Sequence, residues 1–71
     1  MQITTTQAEK AMSGNHTFGQ LGLSMMMLRL KRMYDQSPTP EILKKCTDEI
    51  NSFLKKYEKI VVADYAIMSK L

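Results

Sequence analysis

A seam of apolar residues recurs every three or four positions through the second half of the chain, from Pro40 to Leu71. Its members are Leu43, Cys46, Ile50, Phe53, Tyr57, Ile60, Asp64, Ile67 and Leu71, and Asp64 alone among them is charged. This spacing is typical of an amphipathic α-helix that packs along one side in the manner of a coiled coil. It predicts one continuous helix over residues 40–70.

The preceding segment predicts another helix, over residues 17–36, whose apolar residues form two stripes on different sides. The first stripe consists of Phe18, Leu21, Met25 and Leu28. The second stripe consists of Leu23, Met26, Met27, Leu30, Met33 and Tyr34. A helix that is apolar on two sides has more such surface than a single neighbouring helix can bury. One stripe can pack inside the chain, and we expect the second stripe to bind a partner.

The two predicted helices are joined by a short connection that contains two prolines. Proline cannot continue the first helix, and Thr39 followed by Pro40 is typical of an N-cap and a first helical position. Because the connection is short, we expect the helices to lie antiparallel as a helical hairpin. The predicted fold is therefore all-α, with a hairpin domain over residues 17–71.

Residues 1–16 are expected to form an N-terminal arm that is either partly flexible or a short helix. Thr5 or Thr6 is the expected N-cap, with Glu9 as the acid of a capping box. The small and polar residues 13–15 predict a break after it.

The second predicted helix is longer than the first, so its C-terminal turns have no cover within the hairpin. It would extend about 45 Å, against about 30 Å for the first helix. Val61, Tyr65 and Met68 add apolar surface to these turns, which either the arm or another chain would bury. Asp64 has two interpretations: a polar residue that sets register or binds a basic group of a partner, or an exposed residue beyond the end of the seam.

The predicted partner-binding surface combines the second stripe with these C-terminal residues. It consists of Leu23, Met26, Met27, Leu30, Met33, Tyr34, Val61, Tyr65 and Met68. The chain has seven methionines, and flexible thioethers suit either an adaptable binding surface or an irregular core.

Size and composition indicate what could stabilise the fold. A chain of 71 residues has a small core, which seldom supplies more than about 3–5 kcal/mol without a staple or a partner. Cys46 is the only cysteine and His16 the only histidine, so neither a disulfide nor a metal site is expected. A partner chain remains as the source of stability, which indicates a homo-oligomer.

No signal-peptide pattern or membrane-length apolar run is evident, and we expect a cytoplasmic location.

The net charge is +3, from ten Lys and Arg against seven Asp and Glu. The densest basic cluster lies at residues 29–32, where Arg29, Lys31 and Arg32 are candidate contacts for phosphates or another anionic surface. The alternative is a solvated flank near a helix C-terminus, where cations are favoured.

Two short stretches resemble known families. Leu21-Gly22-Leu23-Ser24, followed by Leu28-Arg29, resembles the turn and recognition-helix start of helix-turn-helix proteins, although Phe18 stands where that family has a small residue. This resemblance implies a small DNA-binding regulator as the alternative function.

The proline-marked turn at Pro40 with Leu43, Ile50 and Phe53 is similar to that of type III secretion needle and rod subunits. The serine- and lysine-rich C-terminal signature of needle proteins is absent. The resemblance therefore illustrates a class of self-assembling hairpins and does not identify a member of that family.

No pattern of residues indicates catalysis. The adjacent acids Asp48 and Glu49 diverge by about 100° on a helix and follow Lys44 and Lys45 by one turn, which is surface charge patterning. We expect no enzyme and no cofactor. The predicted function is a small helical protein–protein interaction module: a regulator, an inhibitor, a chaperone or a self-assembling subunit.

Overall fold

The computed structural model describes residues 2–14 and 16–71. These residues form four α-helices and no strand: α1 (Thr5–Ser13), α2 (Leu21–Gln36), α3 (Pro40–Lys56) and α4 (Val62–Ser69). The prediction of an all-α fold is confirmed. Met1, in the predicted arm, and Asn15, in the predicted break, lie outside the described residues. Within the described ranges, no helix combines the length and the apolar character needed to cross a membrane.

The connection between α2 and α3 has the local structure that its sequence predicts. The amide of Ser37 donates to the carbonyls of the last turn of α2. Thr39 caps α3 by accepting a hydrogen bond from the amide of Ile42 at 3.2 Å, and Pro40 occupies the first turn. Glu41 lies in the same turn, where the helix dipole favours a negative charge.

The helix predicted over residues 40–70 is interrupted, so the two-helix description is wrong. α3 ends at Lys56, and the amide of Val61 bonds back to the carbonyl of Tyr57 at 2.9 Å. The turn brings Val61 and Met68 into the core, whereas a straight helix would leave both outside it. The longest dimension of the fold, 32 Å, is too short for a continuous helix of about 45 Å.

The helix predicted from residue 17 begins later, at Leu21. Gln20 is its N-cap but provides no side-chain hydrogen bond. The carboxylate of Asp64 accepts from the amides of Gly19 and Gln20 instead. A side chain from α4 thus binds the amides that precede α2, while Phe18 is buried as part of the core.

The N-terminal segment lies at the centre of the fold. α1 packs against α2, α3 and α4, and it buries Ala8, Ala11 and Met12. Small side chains such as alanine let neighbouring helices approach closely. α1 is therefore the one helix that packs extensively against each of the others.

The cap of α1 differs slightly from the predicted one. Thr4 is the N-cap, and its hydroxyl accepts from the amide of Gln7 at 3.2 Å. The side chain of Gln7 accepts in return from the amide of Thr4 at 2.9 Å. The predicted caps, Thr5 and Thr6, are the first two residues of the helix, and Gln7 takes the capping-box place that Glu9 was expected to fill.

Side-chain to backbone hydrogen bonds hold the N-terminal segment to both α3 and α4. Asn51 accepts from the amide of Ile3 at 2.8 Å and donates to its carbonyl at 3.1 Å. Gln7 donates to the carbonyl of Ser69, and Lys10 donates to the carbonyl oxygen of Leu71. These contacts join parts of the chain that are far apart in sequence.

One apolar core extends through all four helices. Its buried members are Ile3, Ala8, Ala11, Met12, Phe18, Leu23, Met27, Leu30, Cys46, Ile50, Leu54, Val61 and Met68. Two polar side chains are buried among the described residues, those of Thr47 and Asp64. The hydroxyl of Thr47 donates to the carbonyl of Leu43, and the carboxylate of Asp64 accepts from Gly19 and Gln20.

Candidate interaction surface

The structure buries most of the second stripe within the chain. Leu23 and Leu30 are fully buried and Met27 nearly so. The physical reason is that α2 packs against both α1 and α3, which contribute Ala11 and Cys46 among other residues to the same core. These three residues, predicted to bind a partner, therefore form part of the intramolecular core in this fold.

The C-terminal part of the predicted partner surface is also covered. Val61 and Met68 are fully buried, because the turn before α4 folds this segment back onto α1. The remaining predicted contacts, Met26, Met33, Tyr34 and Tyr65, are half-buried and pack at the edge of the core.

Two of these half-buried residues are tyrosines that bond to the N-terminal segment. Tyr34 donates to the carboxylate of Glu9 at 2.7 Å, and Tyr65 donates to the carbonyl of Gln2 at 3.4 Å. The hydrogen bond to Glu9 is the largest cause that raises the pKa of the Tyr34 hydroxyl, followed by partial desolvation. Both hydroxyls thus hold the segment around α1 in place.

The apolar surface that remains open on α2 belongs to the first stripe. Leu21 is 74% exposed, Met25 66% and Leu28 52%. Their spacing of four and three residues places them on one side of the helix. We call these three residues the open stripe. Leu21, Met25 and Leu28 of the first stripe are thus open, whereas most of the second stripe, predicted to bind a partner, is covered.

The open stripe borders a shallow groove that contains two arginines. The groove is lined by Met25, Met26, Leu28, Arg29 and Arg32. A second groove lies between α2 and α3 and shares Met26 and Arg29 with the first. Its other lining residues are Glu41, Lys44, Lys45, Asp48, Glu49, Ser52, Phe53 and Lys56.

The three candidate anion contacts do not face one site. Arg29 forms an ion pair with Glu49 at 3.4 Å, and both side chains are well exposed. Arg32 lines the groove beside the open stripe. Lys31 points to another side of α2, where it borders a cleft with Met27 and Leu28. Contact of these residues with nucleic acid stays a prediction.

The stretch that resembles a helix-turn-helix motif lies inside one helix. Leu21-Gly22-Leu23-Ser24 forms the first turn of α2, and no helix within the described residues ends directly before it. The turn that this resemblance requires is therefore not found at this position.

A smaller set of exposed apolar residues surrounds the turn between α3 and α4. Ile60 and Val62 are more than half exposed, and Ile67 is exposed to a lesser degree. The contact of Asp64 with Gly19 places the start of α4 beside the start of α2. Sequence periodicity assigned Ile60 and Ile67 to the seam, and only the break of the helix shows that they lie outside the core.

Asp64 is not the exposed residue of one sequence-based interpretation, and its carboxylate binds backbone amides of this chain. It is almost fully buried, and its two carboxylate oxygens accept from Gly19 and Gln20 at 2.7 and 3.0 Å. Its role within this chain is to join α4 to the start of α2. Its location in the first turn of α4 also suits a negative charge.

Cys46 is a free, fully buried cysteine of the core. Its thiol lies 3.9 Å from the carbonyl of Leu30, to which it donates a weak hydrogen bond. Burial, and then the nearby carboxylate of Glu49, raise the pKa of the Cys46 thiol above its ordinary value. Within the described residues, no three His, Cys, Asp or Glu side chains are grouped to hold a metal ion.

No protein-family model, curated protein or solved structure matches the chain. The surface of the molecule is therefore the basis for any statement about its function.

Proposed function

We propose that this protein is a small helical protein–protein interaction module, which binds another protein or a second copy of itself through the open stripe of α2. The observation that carries the proposal is the exposure of Leu21, Met25 and Leu28 along one side of a helix. Single exposed apolar residues are common on protein surfaces, whereas an aligned set of large ones marks an interaction site.

The size of the open stripe favours a reversible contact. Full burial of one large apolar side chain contributes about 1.5–3 kcal/mol. Scaled by the exposed fractions of the three residues, complete cover of the stripe would contribute about 3–6 kcal/mol. Association itself costs several kcal/mol, so the stripe needs help from the neighbouring grooves to reach useful affinity.

The methionines add adaptability to this surface. Met25 is exposed, and Met26 is half-buried where the two grooves meet. Unbranched thioethers can change rotamer to fit partners of different shape. This suits a regulator, an inhibitor, a chaperone or an assembly subunit, and the proposal assigns no reaction or cofactor to the chain.

A position-specific cross-linking experiment tests the proposal. A photoreactive phenylalanine analogue replaces Met25 in one variant and Lys55, an exposed residue of α3, in a matched control. In cells, we expect a discrete adduct from position 25 that disappears when Leu21 and Leu28 are both changed to serine. The adduct partner, once purified, should bind the serine variant at least about tenfold more weakly than the unaltered chain.

Two results would overturn the proposal. One is an equal, diffuse pattern of adducts from both positions. The other is a purified partner that binds the unaltered and the serine variants with the same affinity. Sedimentation velocity over a range of protein concentrations shows whether the adduct partner is a second copy.

A further inference from the structure

We infer that the open stripe and the arginine groove beside it bind an amphipathic helix of another protein, with carboxylates alongside its apolar face. This inference rests on the proposed function and adds the chemistry of the partner. It is carried by the charge of the groove, in which both ionisable lining residues are arginines.

Arg32 is the residue that selects for carboxylates. Within the part of the chain that the structure describes, it forms no ion pair, whereas Arg29 is engaged by Glu49. Asp35, one turn further along α2, does not line the groove. A guanidinium binds a carboxylate through two parallel hydrogen bonds, and the adjacent apolar surface of Met25 and Leu28 partly shields such a pair from water.

The geometry of the open stripe suits a helix as the bound element. Leu21 and Leu28 are seven residues apart, which is about 10 Å along the helix axis. Side chains spaced by three and four residues form ridges that pack into the grooves of another helix. An amphipathic helix laid on such a surface presents its apolar anchors at matching intervals.

A second copy of the chain is a poorer match for this surface. α2 has no acidic residue between Leu21 and Tyr34. The one acid of α2 is Asp35, which lies outside the groove, and a symmetric antiparallel pair centred on the open stripe would place it far from Arg32 of the other copy. The three exposed side chains also fall short of the roughly 800 Å² per partner that a standard stable interface buries.

An anionic bilayer is disfavoured by the neighbouring groove. That groove shares Met26 and Arg29 with the first, and it presents Glu41, Asp48 and Glu49. A flat anionic surface laid on α2 would approach these acids as well as the arginines. A helix can avoid them, because it carries its carboxylates on the flank that faces Arg32.

The test uses three synthetic helices with the same leucine stripe and different flanking residues: glutamate, glutamine or lysine. Fluorescence anisotropy measures their binding to the intact chain at low and at physiological salt. We expect the glutamate helix to bind about threefold to tenfold more tightly than the glutamine helix at low salt, with a smaller difference at higher salt. The lysine helix should bind most weakly.

Charge reversal at Arg32 provides the sharper measurement. In Arg32→Glu we expect the order to invert, so that the lysine helix binds more tightly than the glutamate helix. Lys70→Glu is also a charge reversal, at an exposed position outside both grooves. In this variant the glutamate helix should still bind most tightly and the lysine helix most weakly. Circular dichroism establishes that both variants are folded.

Each other outcome overturns the inference in a recognisable way. Equal binding of all three helices removes the charge preference and leaves the proposed function standing. Absence of helix binding together with binding to phosphatidylglycerol vesicles assigns the surface to lipid. Absence of helix binding together with concentration-dependent dimerisation that Leu28→Glu abolishes assigns it to a second copy. Absence of helix binding and of a position-specific adduct at Met25 overturns the proposed function too.

Discussion

The carboxylate of Asp64 accepts a hydrogen bond of 2.7 Å from the backbone amide of Gly19, across 45 positions of sequence. Its other oxygen accepts from the next amide, of Gln20, at 3.0 Å. The amides at the start of a helix need acceptors from outside the helix, and the amide of the N-cap Gln20 has the Asp64 carboxylate of α4 as its acceptor. One buried side chain thereby fixes where α2 begins and where α4 lies.

Replacement of Asp64 should destabilise the fold. Asp64→Ala removes two hydrogen bonds to a charged acceptor and leaves two amides without that partner, so we expect the free energy of unfolding to fall by about 2–4 kcal/mol. Asp64→Asn should cost less, because the amide oxygen can still accept one of the bonds. Urea denaturation measures both, with Asp48→Ala, on an exposed residue of α3, as the control. A loss in Asp64→Ala no larger than in the control would contradict the role of this contact.

The different burial of the two stripes of α2 can be measured with one residue from each. Leu30 is fully buried and Leu28 is half exposed. Leu30→Ala creates a cavity and should lower the free energy of unfolding by about 2–5 kcal/mol. Leu28→Ala should change it by less than about 1 kcal/mol, since this side chain loses little burial. The opposite order, measured by urea denaturation, would show that the second stripe is not in the core.

The attachment of the N-terminal segment depends on Asn51. Its side-chain amide both accepts from and donates to the backbone of Ile3, whose side chain is buried. Asn51→Ala should lower the free energy of unfolding by about 1–3 kcal/mol and speed hydrogen exchange at the amide of Ile3. Ser52→Ala, on the adjacent exposed residue, should leave both unchanged. Unchanged exchange at Ile3 in the Asn51 variant would contradict this attachment.

Stability should depend on the ionisation of Cys46 at alkaline pH. Because burial raises the pKa of this thiol in the folded chain, the native state keeps a proton that the unfolded chain loses above about pH 8.5. The contribution is fully present below that pH and declines as pH rises towards the folded pKa. We expect the midpoint of urea denaturation to fall less between about pH 8 and pH 10 in Cys46→Ala than in the unaltered chain. Equal falls would contradict the raised pKa.

The reactivity of the same thiol offers an independent measurement. A buried, protonated cysteine should react with iodoacetamide only when the chain opens. Alkylation should therefore be slow in buffer and fast in denaturing urea. Fast alkylation of the folded chain would show that Cys46 is accessible.

Local sequence determined the secondary structure wherever the decisive contacts are themselves local. Two prolines and Thr39 end α2 and start α3 through neighbouring backbone groups, so this connection could be predicted from the residues alone. The apolar periodicity also determined the all-α class, because spacing by three and four residues suits no other regular structure.

The tertiary structure decided which surfaces are covered. Periodicity identified both stripes of α2 but contained no information on how α1 and α3 pack against this helix, and that packing leaves Leu23 and Leu30 buried and Leu21 and Met25 open. Periodicity also extended the seam of α3 through Asp64, because one charged position among nine does not interrupt an apolar repeat. The helix ends at Lys56 instead, and α4 folds back onto the core, where Val61 and Met68 are buried and the carboxylate of Asp64 accepts from the amide of Gly19. Such contacts join residues that are far apart in the chain, and the periodicity of apolar residues within a short segment contains no information about them.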